Sequence, residues 1–371
     1  MYDKQNTNMR KLIYVVTILF FCLQGISVIG QVNSDKKKYE SKSMSKTPSL
    51  NEQAASSSQL DLMNFYFSKR KQSVNKFSKE IDEAEQKELD NIVTSLKDQN
   101  PDSYEYHYVN YVNSNFDVNA FSDLEKANEI SPNNVELYDE FIAHYEITNN
   151  SKKKNSYCQQ LYESNIIHDG VLEYNFNVLN SLEPNAILFT NGADDTYPAW
   201  IQQEVKNIRK DVTILNLDLL SNSQYREDIY KQSGLINPNI SISDLVYQTS
   251  INNPNKPIYI GLTVNPKVLE KLKDNLYITG LAFKYSPESY DNIIKLVSNW
   301  EHLFNQSELN KPVSNITLKQ INLNYILPLI IIRDHYMNSN EPTKKNNVEK
   351  IILKLAKEAH KEEQIKKYLN N

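Results

Sequence analysis

The run Asn191-Gly192-Ala193-Asp194-Asp195-Thr196 holds the residue types in this chain best suited to chemistry. Asn191, Gly192, Asp194, Asp195 and Thr196 offer an amide, an unhindered backbone, two carboxylates and a hydroxyl, a set that could hold a sugar, a cation or a phosphate. The run follows a predicted strand, 186–190, and open α/β sheets place ligands at the carboxyl ends of their strands. A structural reading stands beside the ligand reading: Gly192 for a positive φ, Asp195 or Thr196 as a helix cap, and Pro198 in the first turn. Other catalytic patterns are absent. The six histidines, at 107, 144, 168, 302, 335 and 360, show no metal-protease spacing, and there is neither a G-x-S-x-G elbow nor a phosphate loop. No catalytic residue, metal or cofactor is expected. His107 and His144 read as packed helix residues, and Cys158 as a small buried apolar group.

A second candidate is a groove. Counting from Pro101 in a unit of about 34 residues, Tyr104, His107, Tyr108, Tyr111, Ala120, Leu124, Ala127 and Pro132 take the large, small and proline positions of a tetratricopeptide repeat. A second unit from Val135 keeps Tyr138, Phe141, Ile142 and Tyr145, and Leu172, Phe176 and Leu179 suggest a further helix closing the stack. In such repeats the first helices line an inner groove, here formed by Asp102, Glu105, Val109, Val112, Glu136, Asp139 and Glu146. Asn113, Ala143 and Ile147 also fall on that face. The groove would take a basic or mixed apolar peptide of an envelope protein. Alternatively it is a solvated acidic face that aids solubility.

The elements that must position these residues follow from the pattern. Apolar residues at helical spacing from Val74 to Leu96 predict one helix over about 73–98, after a shorter one over 60–67. Beyond Pro184, short apolar runs predict strands at 186–190, 212–217, 257–264 and 276–285. Helices are predicted between them at 196–208, 222–233, 243–252 and 266–274, the last capped by Asn265 before Pro266. Ser286 with Pro287 is expected to start a helix over 287–304, followed by helices at 316–338 and 344–369. The fold class is therefore α plus α/β: a tetratricopeptide-like helical layer, a small, mostly parallel α/β domain and C-terminal helices. The domains are expected as a signal peptide over 1–30, a flexible leader over 31–58, helical repeats over 59–182, the α/β domain over 183–305 and helices over 306–371.

Composition narrows the function. The 371 residues include only 7 glycines and carry a net charge of −5. No two glycines lie within four residues of each other, which excludes a Rossmann G-x-G-x-x-G loop. Residues 101–150 contain ten acidic side chains against Lys126 alone, a net of −9 that repels nucleic acid and anionic lipid. Arg10 and Lys11 precede the apolar run Leu12–Cys22, which reads as a secretory signal peptide cut after Gly30; an uncleaved anchor is the alternative. A periplasmic protein with no later membrane span is the expectation.

A resemblance adds to these readings. Pro184 to Gly192, then Asp195-Thr196-Tyr197-Pro198, Trp200, Gln203-Glu204-Val205, Arg209, Asp211-Val212, Asn216-Leu217 and Leu219-Leu220 are similar to the soluble part of large bacterial membrane proteins. These are catalogued as glycosyltransferase family 117 or protein O-mannosyltransferases. Gly280-Leu281-Ala282-Phe283-Lys284 and Pro287 extend the similarity, which covers about 172–290. The family loop reads Asn-Gly-Asp-Asn-Asp-Thr, so Ala193 and Asp194 depart from it. The resemblance implies a domain type rather than a reaction, because the catalytic centre of such transferases is expected in a multi-span membrane part.

Together these readings lead to an exported, non-catalytic interaction protein of the cell envelope. The alternative is a glycan-binding or glycosyltransferase-related protein that uses Asn191–Thr196.

Overall fold

The structure is a computed structural model that describes residues 57–369. The signal peptide and nearly all of the leader lie outside the described residues. Two compact units divide the chain: one joins 57–166 to Leu217–Ser243, and the other joins Ile167–Asn216 to 244–369.

The first unit stacks three helical hairpins. Helix α1 (Gln59–Ser73) packs on α2 (Glu83–Gln99), α3 (Tyr104–Asn113) on α4 (Phe121–Ile130), and α5 (Tyr138–Ile147) on α6 (Ser151–Glu163). Side-chain caps mark the starts: Ser58 accepts from the Asp61 amide, Asp82 from Glu85 and Ser103 from Tyr106. Tyr66, Leu89, Leu96, Tyr111, Leu124, Ala127 and Phe141 form the common core. The single helix expected over 73–98 is broken. Asn75 Oδ1 accepts from the amides of Phe77 and Ser78, and Lys79 adopts φ 64°, so the chain turns before Asp82 restarts the helix.

Asparagine does much of the work that glycine does elsewhere. Asn115, Asn133, Asn149, Asn165 and Asn185 all take positive φ where helices give way to turns, whereas Gly192 is extended at φ −166°. Asn tolerates the left-handed region better than other side-chain-bearing residues. The expected positive φ at Gly192 is thereby corrected.

The second unit is built on a small mixed sheet. Helix α7 (Asp169–Asn180) packs against α8 (Ala193–Glu204) rather than closing the hairpin stack. Strands β1 (Ile187–Thr190), β2 (Thr213–Asn216) and β3 (Ile258–Gly261) are parallel, with β1 in the middle. Between β2 and β3 the chain forms α9 (Ser223–Gln232), which belongs to the first unit, and α10 (Ile242–Asn252). After the short α11 (Pro266–Leu269), β4 (Leu276–Ile278) and β5 (Ala282–Tyr285) add an antiparallel hairpin, giving the order β2-β1-β3-β5-β4. One strand was expected over 276–285. The chain instead turns at Thr279–Leu281, where Gly280 packs so closely that a Cβ there would lie 2.3 Å from Ser181 Cβ.

The C-terminal helices are α12 (Asn292–His302), α13 (Ile316–Asn322), α14 (Ile326–Asn338), α15 (Pro342–Glu358) and α16 (Glu362–Leu369). Helix α12 starts after Asp291, so Ser286 and Pro287 do not cap it. The helix expected over 316–338 divides at a 3₁₀ turn, Leu323–Tyr325, which places Pro328 in a first turn where its missing N–H costs little. His360 at φ 57° divides the last helix.

Candidate functional site

β1 lies between β2 and β3 and runs parallel to both, so the carboxyl ends of three strands lie side by side, at the edge where such sheets bind ligands. Asn191–Thr196 falls there, with Asp195 and Thr196 buried and Asn191 to Asp194 partly exposed. Asp195 Oδ2 accepts from the Asn191 amide at 2.8 Å and Oδ1 from the Gly192 amide at 2.9 Å. The Thr263 hydroxyl, just past β3, donates to the same carboxylate. Asp195 thus caps α8 from its third position and clasps β1 to the chain leaving β3. Thr196 Oγ1 meets Thr190 Oγ1 at 2.7 Å and accepts from Asn216 Nδ2 at 2.8 Å, which joins the ends of β1 and β2. Gly261 completes the close packing, since a Cβ there would meet Thr263 Oγ1 at 3.0 Å and the Phe189 carbonyl at 3.3 Å.

Asp194 differs. Its backbone carbonyl would ordinarily accept from the amide four residues on, but that residue is Pro198, which has no N–H. Asn175 Nδ2, reaching from α7, donates to it at 2.9 Å instead. The Asp194 carboxyl is partly buried and makes no hydrogen bond among the described residues. Burial, and then the charge of Asp195, push it up to about 7. The sequence reading missed Asn175, Thr190, Asn216, Gly261 and Thr263. Thr190 and Asn216 carried a signal, being polar residues at the ends of otherwise apolar strands.

The groove residues are not one free face. Val109 is fully buried in the core of the hairpin unit and Val112 is packed against it. Asp102 is exposed, while Glu105 and Asp139 are partly so. Glu136 receives the Tyr104 hydroxyl at 3.4 Å. Glu146 is held by Lys154 Nζ at 2.6 Å and by the Tyr225 hydroxyl at 2.9 Å, the latter from α9. His107 Nδ1 lies 2.6 Å from Asp123 Oδ1, His144 stacks on Phe121 with ring centroids 3.7 Å apart, and Cys158 is buried.

Arg209 and Asp211, both part of the resemblance, have a structural task. Arg209 Nη1 donates to the carbonyls of Leu179 and Leu182, and Nη2 to Glu183, which ties the end of α7 to the entry of β1. Asp211 accepts from Arg209 and from the Asn185 amide, and the Arg209 guanidinium holds its carboxyl down at about 2.

The molecule therefore couples a unit of helical hairpins to a mixed α/β unit with a closed clasp at its strand ends. Residues 171–233, from α7 through α9, match the family model described as TMEM260-associated domain 2. Comparison with curated proteins and with solved structures finds no match. Among the described residues, no helix is long and apolar enough to cross a membrane, and no cluster of three or more metal-ligating side chains occurs.

Proposed function

We propose that this chain is an exported, non-catalytic accessory protein of the cell envelope whose helical hairpins dock a protein partner. The α/β unit then serves as a scaffold related to glycosyltransferase family 117. One observation carries the reading: at the strand-end crevice, Asp195 and Thr196 are committed to holding the fold. The hairpin unit, in contrast, keeps Asp102 exposed and Glu105 and Asp139 partly so, on the segment of net charge −9. The match of 171–233 to a TMEM260-associated domain supports the transferase-related reading of that part of the chain, and the 34-residue spacing from Pro101 supports tetratricopeptide-like docking. Export rests on the Leu12–Gly30 run.

The test is binding of Lys-rich amphipathic peptides to the full chain at low and high salt. Binding should weaken with salt and fall about tenfold in the double variant Glu105→Lys, Asp139→Lys. A salt-insensitive or absent interaction would count against the reading.

The unpartnered Asp194 carboxyl favours a second reading, in which the Asn191–Thr196 turn binds a glycan. Titrating mannose-containing glycans against the chain and against Asp194→Ala separates the two readings. A ligand lost only in the variant would support glycan binding.

A further inference from the structure

Asn191-Gly192 is the one Asn-Gly step in the chain. Such a step is chemically unstable in a flexible segment, because glycine puts no side chain between its own backbone nitrogen and the preceding side-chain amide. The Gly192 nitrogen can attack Asn191 Cγ and close a succinimide ring, while the side-chain nitrogen leaves as ammonia with the proton that Gly192 gives up. Water then opens either ring carbonyl and leaves aspartate or isoaspartate at position 191. Water is the only co-reactant.

The ring closes only when rotation about the Cα–C bond of Asn191 swings the Gly192 nitrogen onto the side chain. The clasp opposes that rotation. Asp195 Oδ2 accepts from the Asn191 amide at 2.8 Å and Oδ1 from the Gly192 amide at 2.9 Å, so one carboxylate fixes the nitrogens on either side of the bond that must turn. The proton that Gly192 must give up is the one held on Oδ1. Asp195 is itself buried and takes a further bond from the Thr263 hydroxyl, which leaves the carboxylate little freedom to follow. Asn191 and Gly192 are partly exposed, so water and base reach the step once the turn opens. We propose that Asn191 is a deamidation site gated by the Asp195 clasp, preserved while the turn is closed and converted when it opens. Either product sets a third carboxylate beside Asp194 and Asp195. Isoaspartate also adds a methylene to the backbone between the two nitrogens, which then no longer match one carboxylate, so an opening of the strand end becomes permanent. This site needs neither a protein partner nor a glycan.

The test is to incubate the full chain at mildly alkaline pH beside a synthetic peptide of residues 184–204 and to map the products by mass spectrometry. Conversion at position 191 should be more than about tenfold slower in the chain than in the peptide, with hydrogen exchange at the Gly192 amide slowed alongside it. Asp195→Asn, measured at temperatures where it is folded, should convert about tenfold faster than the natural chain. Asn191→Gln keeps both backbone amides and should show no conversion at that position. Conversion of the natural chain at the rate of the peptide would overturn the proposal, and that comparison needs no variant. A folded Asp195→Asn chain that converts no faster would overturn it too, and one that converts more slowly would make Asp195 the base that removes the Gly192 proton rather than the group that locks it.

Discussion

Asp195 commits both carboxylate oxygens to the turn between β1 and α8. An amide at that position keeps a single acceptor oxygen, so Asp195→Asn strands one backbone N–H. A loss of about 1–3 kcal/mol in thermal or denaturant unfolding is expected. Asp194 acts in the opposite sense. Its native carboxyl titrates near 7 against an ordinary 3.8, so between those values the native state holds more protons than the unfolded one. Its favourable contribution is complete below the ordinary value and is lost as pH rises through 7. Asp194→Asn should therefore melt higher than the natural chain at about pH 8 and alike at about pH 4, and a gain confined to acid would refute the assignment. His144 shows the reverse sign, because burial lowers it to about 4 from 6.5. Its neutral form stabilises the fold above 6.5, and that stabilisation is lost as pH falls toward 4.

At the scale of elements, α7 and α8 depend on a side-chain substitute for a missing backbone bond. Asn175→Ala removes the donor to the Asp194 carbonyl and should cost about 1–2 kcal/mol. Replacing Pro198 by Ala in the same chain returns a backbone N–H, so the double variant should recover part of that loss, which a double-mutant cycle would measure. Simple additivity would mean that the two groups are not coupled. The alternation of strands and helices after Pro184 was legible because its apolar runs are short and its helix starts carry caps. Asp195 was legible as a candidate cap. Its second role was not, since Thr263 lies 68 positions away and no local pattern announces the contact. The break at Asn75 was hidden by a continuous apolar period, and the β4–β5 hairpin by a run of suitable strand residues. In both places a turn overrides the spacing, through an Asn side chain in one and a close approach at Gly280 in the other.

At the scale of the molecule, the hairpin unit is completed by a distant piece of its own chain. Residues 217–243 reach the turn-side ends of all three first helices: Asp218 pairs with Lys79 at 3.0 Å, Asn222 Nδ2 donates to the Phe116 carbonyl at 3.1 Å, and Tyr225 reaches Glu146. Tyr230 is fully buried. A fragment ending at Ile166 should therefore melt well below the hairpin unit of the full chain. Tyr225→Phe in the full chain should cost about 1 kcal/mol by leaving Glu146 one donor short. Equal stability of fragment and full chain would show that the strap is dispensable.

The account turns on whether the strand-end turn holds the fold or holds a ligand. The most direct measurement is made on Asp195→Ala, with its thermal midpoint and its binding to the Lys-rich peptides and to mannose-containing glycans recorded on one preparation. The account predicts a clear drop in midpoint, peptide binding like that of the natural chain at temperatures where both are folded, and no glycan binding by either. An unchanged midpoint together with glycan binding that disappears in the variant would contradict it.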